Sequence, residues 1–155
     1  MTVAGDPIEE LYARSEASFA RWEVLKDVID ETIDLTLNYR QSGHPGGSRS
    51  KVHLLVSLML SGAMRWDIRR PWRPFADRFV LSGGHVVPLV YCTLAVLNEI
   101  LRARQEQDGG DRFAFPDDGR WALTWEDLLK LRHRGGLPGH AEMEGKTLFL
   151  KFNTG

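Results

Sequence analysis

The segment Arg78-Phe79-Val80-Leu81-Ser82-Gly83-Gly84-His85 sets the expectation for the whole chain. Arg78 to Ser82 is a short apolar run stopped by Gly83-Gly84, and from Val86 to Leu101 the apolar residues have helical length and spacing. A run closed by paired glycines and followed by a helical pattern reads as strand, tight turn and helix. This unit predicts an α/β fold, with a mostly parallel sheet flanked by helices.

Upstream, Pro7 to Tyr39 is helix-compatible. Trp22, Leu25, Ile29, Ile33 and Leu37 recur there at three- and four-residue steps, which predicts a long amphipathic helix. Gln41 to Ser50 holds Gly43, Pro45, Gly46 and Gly47, a composition that breaks helices and predicts a shaped loop. Ser48 or Ser50 can cap the next helix, whose Leu54, Leu55, Leu58 and Met59 share a face and which ends near Gly62. Pro71, Pro74, Trp66 and Trp72 make Arg65 to Ala76 an irregular connection, because proline lacks an amide donor and restricts its neighbour. Downstream, Gln105 to Gly119 reads as a solvated loop. Thr124, with Asp127 three residues later, marks a helix start with a capping-box-like acidic partner, and that helix stops at Gly135-Gly136.

A length of 155 residues suits one domain, residues 1–155, with enough apolar content for one core. The formal net charge of -1 gives no positive field, so neither nucleic acid nor an anionic membrane is expected as a partner. The lone Cys92 cannot form an intramolecular disulfide, and a reducing cytoplasm fits best. The amino terminus lacks the basic-then-apolar pattern of a secretory signal. The apolar run around His53 to Met64 is interrupted and shorter than the roughly 20 residues needed to cross a bilayer.

Five histidines occur. His53 lies on an expected helix, and His133 follows Arg132 near a helix end, where a cation favours the dipole, so both read as structural. His44, His85 and His140 are different, since each sits beside glycine at the end of an element, where side chains and exposed amides can converge on a ligand. No histidine pair has the i, i+4 spacing of a helical zinc motif, and one cysteine makes no thiolate cluster.

Taken in order, Ser42-Gly43-His44-Pro45-Gly46-Gly47, then Asp77-Arg78-Phe79-Val80-Leu81-Ser82-Gly83-Gly84-His85, then Pro138-Gly139-His140, then Thr154-Gly155 resemble landmarks of the amino-terminal domain of the transketolase family. The resemblance runs from about Glu23 to Gly155 and implies the first part of a thiamine-diphosphate-binding domain. It implies that His85 contacts the cofactor diphosphate and that Gly155 begins the turn supporting the cofactor. It implies that His44 and His140 line the channel for a sugar phosphate and bind hydroxyl or carbonyl oxygens of a ketose donor. An imidazole suits such work because it titrates near neutral pH and can give or take a proton at an oxygen that gains and loses charge.

The same resemblance implies thiamine diphosphate and Mg2+ in the complete enzyme. It also implies a homodimer or a split heteromer, because the active site lies between chains. The sequence departs from the family pattern in two ways. Ala141 follows His140 where proline is usual, and Arg49 and Lys51, just behind the first histidine loop, could attract a phosphate or simply be solvated. The Gly-Asp-Gly turn and asparagine that hold the metal have no counterpart: Gly110-Asp111-Arg112, Gly5-Asp6-Pro7 and Asn153 read as loops. The expectation is of a chain that is partial and inactive alone, completed by a missing carboxy-terminal part or a companion subunit. Other thiamine-diphosphate enzymes, such as a 2-oxoacid dehydrogenase first component or a phosphoketolase, and a non-catalytic interaction module are the alternatives.

Overall fold

The computed structural model describes residues 6–143 and 145–154. Helix α1 spans Pro7–Glu16, with the Asp6 carboxylate accepting from the Ile8 amide at 2.9 Å and Pro7 in the first turn. Proline is tolerated there because that amide has no helical partner in any case. The chain then turns at Ala17-Ser18, where the Ser18 amide donates to the Ser15 carbonyl, and resumes as α2, Phe19–Arg40. The single long helix expected over this region is therefore two. Within α2, Ile29, Thr32, Ile33, Thr36 and Leu37 are buried, the i, i+3, i+4, i+7, i+8 stripe of an amphipathic helix.

The short α3, Pro45–Arg49, lies within the expected Gly-rich loop, and α4 is Val52–Leu60. Lys51, and not a serine, precedes α4. Its buried face is Val52, Leu55, Val56 and Met59, whereas Leu54 is 70% exposed. Of the expected face, Leu55 and Met59 are buried and Leu58 packs partly buried against the core, while Leu54 faces solvent. A 3-10 turn, Gly84–Val86, leads into α5, Val87–Asp108, which runs seven residues beyond the expected end at Leu101 and stops at the left-handed Gly109. Every residue from Val87 to Val96 is buried, as befits a helix that is apolar all round. By length and composition, Gly84–Asp108 could also cross a membrane, unlike the His53–Met64 run; here 67% of its apolar window is buried inside the fold. Helices α2, α3 and α4 pack against it, as does α6, Trp125–Leu128. At the start of α6 the Thr124 amide and hydroxyl both donate to Asp127 Oδ2, at 2.9 and 3.1 Å. Turns, not helix, continue from Leu129 towards Gly135-Gly136.

The expected α/β fold, with its mostly parallel sheet, is overturned: the fold is helical, and among the described residues no strand forms. Only two isolated bridges occur, Phe79 with Leu150 in parallel and Ala141 with Thr154 in antiparallel sense. The reason lies in the partner segment. A ladder needs successive pairs to exchange amides and carbonyls. The Lys151 amide donates to the Phe79 carbonyl at 3.0 Å, but the segment before it is wound into turns. The Leu148 amide donates to the Gly145 carbonyl and the Leu150 amide to that of Thr147, so no extended strand carries the pairing further. The run Arg78 to Ser82 keeps the alternation of a half-buried strand, with Leu81 buried, Val80 exposed and Phe79 stacked on Phe149 at 5.3 Å, but it has one bridge and no ladder.

Candidate functional site

The first glycine-bearing turn follows the left-handed Gln41 that ends α2. Gly43 has φ +107°, a conformation costly for any other residue, and a β-carbon there would come within 2.9 Å of Leu37 Cδ2. His44 follows in extended conformation and opens α3, with its ring exposed. The second turn places exposed His85 in the 3-10 segment ahead of α5, between buried Gly84 and buried Val86. The third carries exposed His140 after Gly139.

These turns form one continuous rim. Gly47 packs so closely on the second turn that a β-carbon on it would lie 3.0 Å from Val86 Cγ1 and 4.0 Å from His85 Nε2. Thr154 joins the second turn to the third, its hydroxyl donating to the Leu81 carbonyl at 2.5 Å and its amide to the Ala141 carbonyl at 2.9 Å. Arg132 joins the third to the first: Nη1 donates to Ser42 Oγ at 2.8 Å, while its Nε lies 2.9 Å from where a β-carbon on Gly139 would be. The Tyr91 hydroxyl, from the core helix, reaches the His140 carbonyl at 3.4 Å. The turns that carry His44, His85 and His140 are thus linked to one another. The fourth expected site residue, Gly155, lies outside the described residues.

The remaining histidines are engaged elsewhere. His53 Nε2 faces both Glu23 carboxylate oxygens at 3.1 Å, and His133 Nδ1 meets the Arg134 carbonyl. The open question over Arg49 and Lys51 is answered by their partners. Arg49 pairs with Asp34 at 2.8 Å and Asp30 at 3.6 Å, and the Lys51 ammonium donates to the Gly47 carbonyl at 2.8 Å. Both cations brace the first turn from behind. Among the described residues, the cation that links two of the turns is Arg132, which the sequence reading passed over while weighing its neighbour His133. Its signal was faint: a non-glycine residue at φ 57° just ahead of Gly135-Gly136, a backbone choice that no side-chain pattern announces.

The donor chemistry bears on what this rim can hold. Exposed imidazoles and one guanidinium suit hydroxyl, carbonyl or phosphate oxygens. Among the described residues no three His, Cys, Asp or Glu side chains gather closely enough to hold a metal ion. Asp111 lies in a short 3-10 turn, Asp6 caps α1, and Asn153 Oδ1 accepts from the Met143 amide at 2.6 Å. The described residues therefore do not by themselves fit a metal-held diphosphate.

Part of the chain is similar to known proteins. It is 39% identical over 54 residues to transketolase of Homo sapiens and, to the same extent, to transketolase of Pongo abelii, covering 35% of this chain and 8% of each relative. It is 44% identical over 50 residues to transketolase-like protein 2 of Bos taurus, covering 32% of this chain and 8% of that protein. The chain thus carries a transketolase-related region and matches less than a tenth of these relatives' length. No family model matches it, and no solved structure matches it.

Proposed function

We propose that the rim is part of the substrate face of a transketolase-like enzyme that transfers a two-carbon ketol unit between sugar phosphates. The observation that carries the reading is the circuit of three glycine turns: Arg132, Thr154 and Gly47 link the turns that bear His44, His85 and His140. The transketolase-related region supports it. In this reading His44 and His140 hydrogen-bond the hydroxyl and carbonyl oxygens of a ketose, for which an imidazole offers both a donor and an acceptor nitrogen. His85 faces the diphosphate of thiamine diphosphate. The cofactor and Mg2+ belong to the complete enzyme, with metal ligands and a second substrate wall supplied by further protein, either a continuation or a companion subunit.

The test is a proton NMR titration of the histidine rings of this chain, first with a ketose monophosphate and then with thiamine diphosphate plus Mg2+. The expected result is movement of the His44 and His140 signals in the first titration and of His85 in the second, with His53 still. If all three rim rings ignore both ligands, the reading fails and a non-catalytic interaction module takes its place.

A further inference from the structure

Arg132 is an exposed residue, yet its surroundings are built around it. Its backbone adopts φ 57°, in the left-handed region that favours glycine, and its amide is held to the Leu137 carbonyl at 2.8 Å. Next to it, the Leu131 carbonyl accepts from Arg40 Nε at 2.8 Å, which ties this backbone to the end of α2. A strained backbone persists where its surroundings over-determine it, and such positions gather at functional sites.

The side chain lies between two glycines. On one side, a β-carbon at Gly139 would meet Nε at 2.9 Å, Cγ at 3.0 Å and Cδ at 3.3 Å. Gly139 has no left-handed φ, so the glycine is needed there for space and not for backbone angle. On the other side, Nη1 donates to Ser42 Oγ at 2.8 Å and would lie 3.4 Å from a β-carbon on Gly43. The residues that follow these glycines are His140 and His44. A planar guanidinium suits this place, because it can lie flat on a bare glycine and still donate from its edge to the hydroxyl, which a lysine ammonium cannot do.

We propose that Arg132 is a positioning residue that couples the turns bearing His44 and His140, so that the two rings are set as a pair. The coupling is a property of the chain without any ligand. It deepens the site described under the proposed function, and its test is independent of whether that function holds.

The test reads the ring signals of His44 and His140 in the full chain, with no ligand present. Ser42→Ala removes the hydroxyl on the His44 side and is expected to shift the distant His140 ring. Gly139→Ala pushes the guanidinium aside and is expected to shift the distant His44 ring. In an Arg132→Ala background Ser42→Ala no longer reaches His140, because the coupling is gone. If Ser42→Ala moves only His44 in the parent chain, or moves His140 equally with and without Arg132, the proposal is overturned. It is overturned too if His53, paired with Glu23, moves as far as the rim rings, since the substitution then acts by general loosening. Should Gly139→Ala fail to fold, the Ser42→Ala cycle decides alone.

Discussion

The first half of α5 and the rim ahead of it are neighbours in sequence and opposites in environment. From Val87 to Val96 every side chain is buried, whereas His85 and its counterparts His44 and His140 are exposed. The contrast separates two tasks. Stability is concentrated in side chains that meet no solvent, and the proposed ligand chemistry falls to side chains whose burial contributes almost nothing to folding. Substitutions on either side of this divide should therefore affect different measurements.

The largest effects belong to the core. Leu94 is 3% exposed in the first half of α5, and Ile33 on the buried stripe of α2 is fully buried. Leu94→Ala or Ile33→Ala removes apolar contact and leaves a cavity, for a loss of about 2–5 kcal/mol, read as a lower urea midpoint. Cys92 in the same helix gives a second readout. Burial pushes its thiol up to about 12, against a weak contact to Thr36 Oγ1 at 3.8 Å. The thiolate is the reactive form, so a thiol reagent at neutral pH should leave the folded chain unmodified and label Cys92 only as urea unfolds it. Labelling at the same rate with and without urea would place α5 outside the core.

Gly43 lies on the boundary between the two regions and should show an intermediate cost. Its φ of +107° and the 2.9 Å approach of Leu37 to a would-be β-carbon both oppose Gly43→Ala. The left-handed backbone alone costs roughly 1–2 kcal/mol. Gly46 is a matched control, since a β-carbon there meets nothing within 4 Å. A thermal melt in which Gly43→Ala and Gly46→Ala lose equal stability would show that the first turn is not held as described.

How far the sequence disclosed this arrangement depends on the physical scale of each signal. The stripe Ile29, Ile33, Leu37 was legible because helical burial repeats at three- and four-residue steps, and Asp127 was legible because capping is local. The sheet was misread because Arg78 to Ser82 has the alternation of a strand, but a ladder needs an extended partner, and the segment around Leu148 to Leu150, far along the chain, is wound into turns. The break at Ala17-Ser18 has no proline or glycine to mark it. His44, His85 and His140 could be singled out from their glycines, while their union through Arg132 could not, since a 90-residue separation lies between Arg132 and Ser42.

A smaller effect comes from outside the core, at the irregular connection before the second turn. Asp77 accepts from the Arg65 amide at 2.7 Å and from its guanidinium at 3.1 Å, and these bonds, the amide first, hold its carboxyl below the ordinary value. A carboxylate depressed in the folded state stabilises the fold at pH values above its unfolded value, near 3.9. That contribution is lost as pH falls through the folded value. The difference in urea midpoint between the parent chain and Asp77→Asn should therefore be small at neutral pH and vanish in acid. A difference that grows on acidification would mean the bonds to Arg65 do not form.

The smallest stability effect is expected at the proposed site. The exposed rings of His44, His85 and His140 make no hydrogen bond to described residues, so His85→Ala removes no hydrogen bond from the fold. Surface substitutions of this kind change stability by no more than about 0.5 kcal/mol. His140→Ala should behave likewise, because the Tyr91 hydroxyl bonds its carbonyl and not its ring. Calorimetry on His85→Ala should give a melting temperature close to that of the parent chain. A loss comparable to that of Leu94→Ala would show that the ring supports the start of α5, and the division between a folding core and a binding rim would fail at the residue where the two meet.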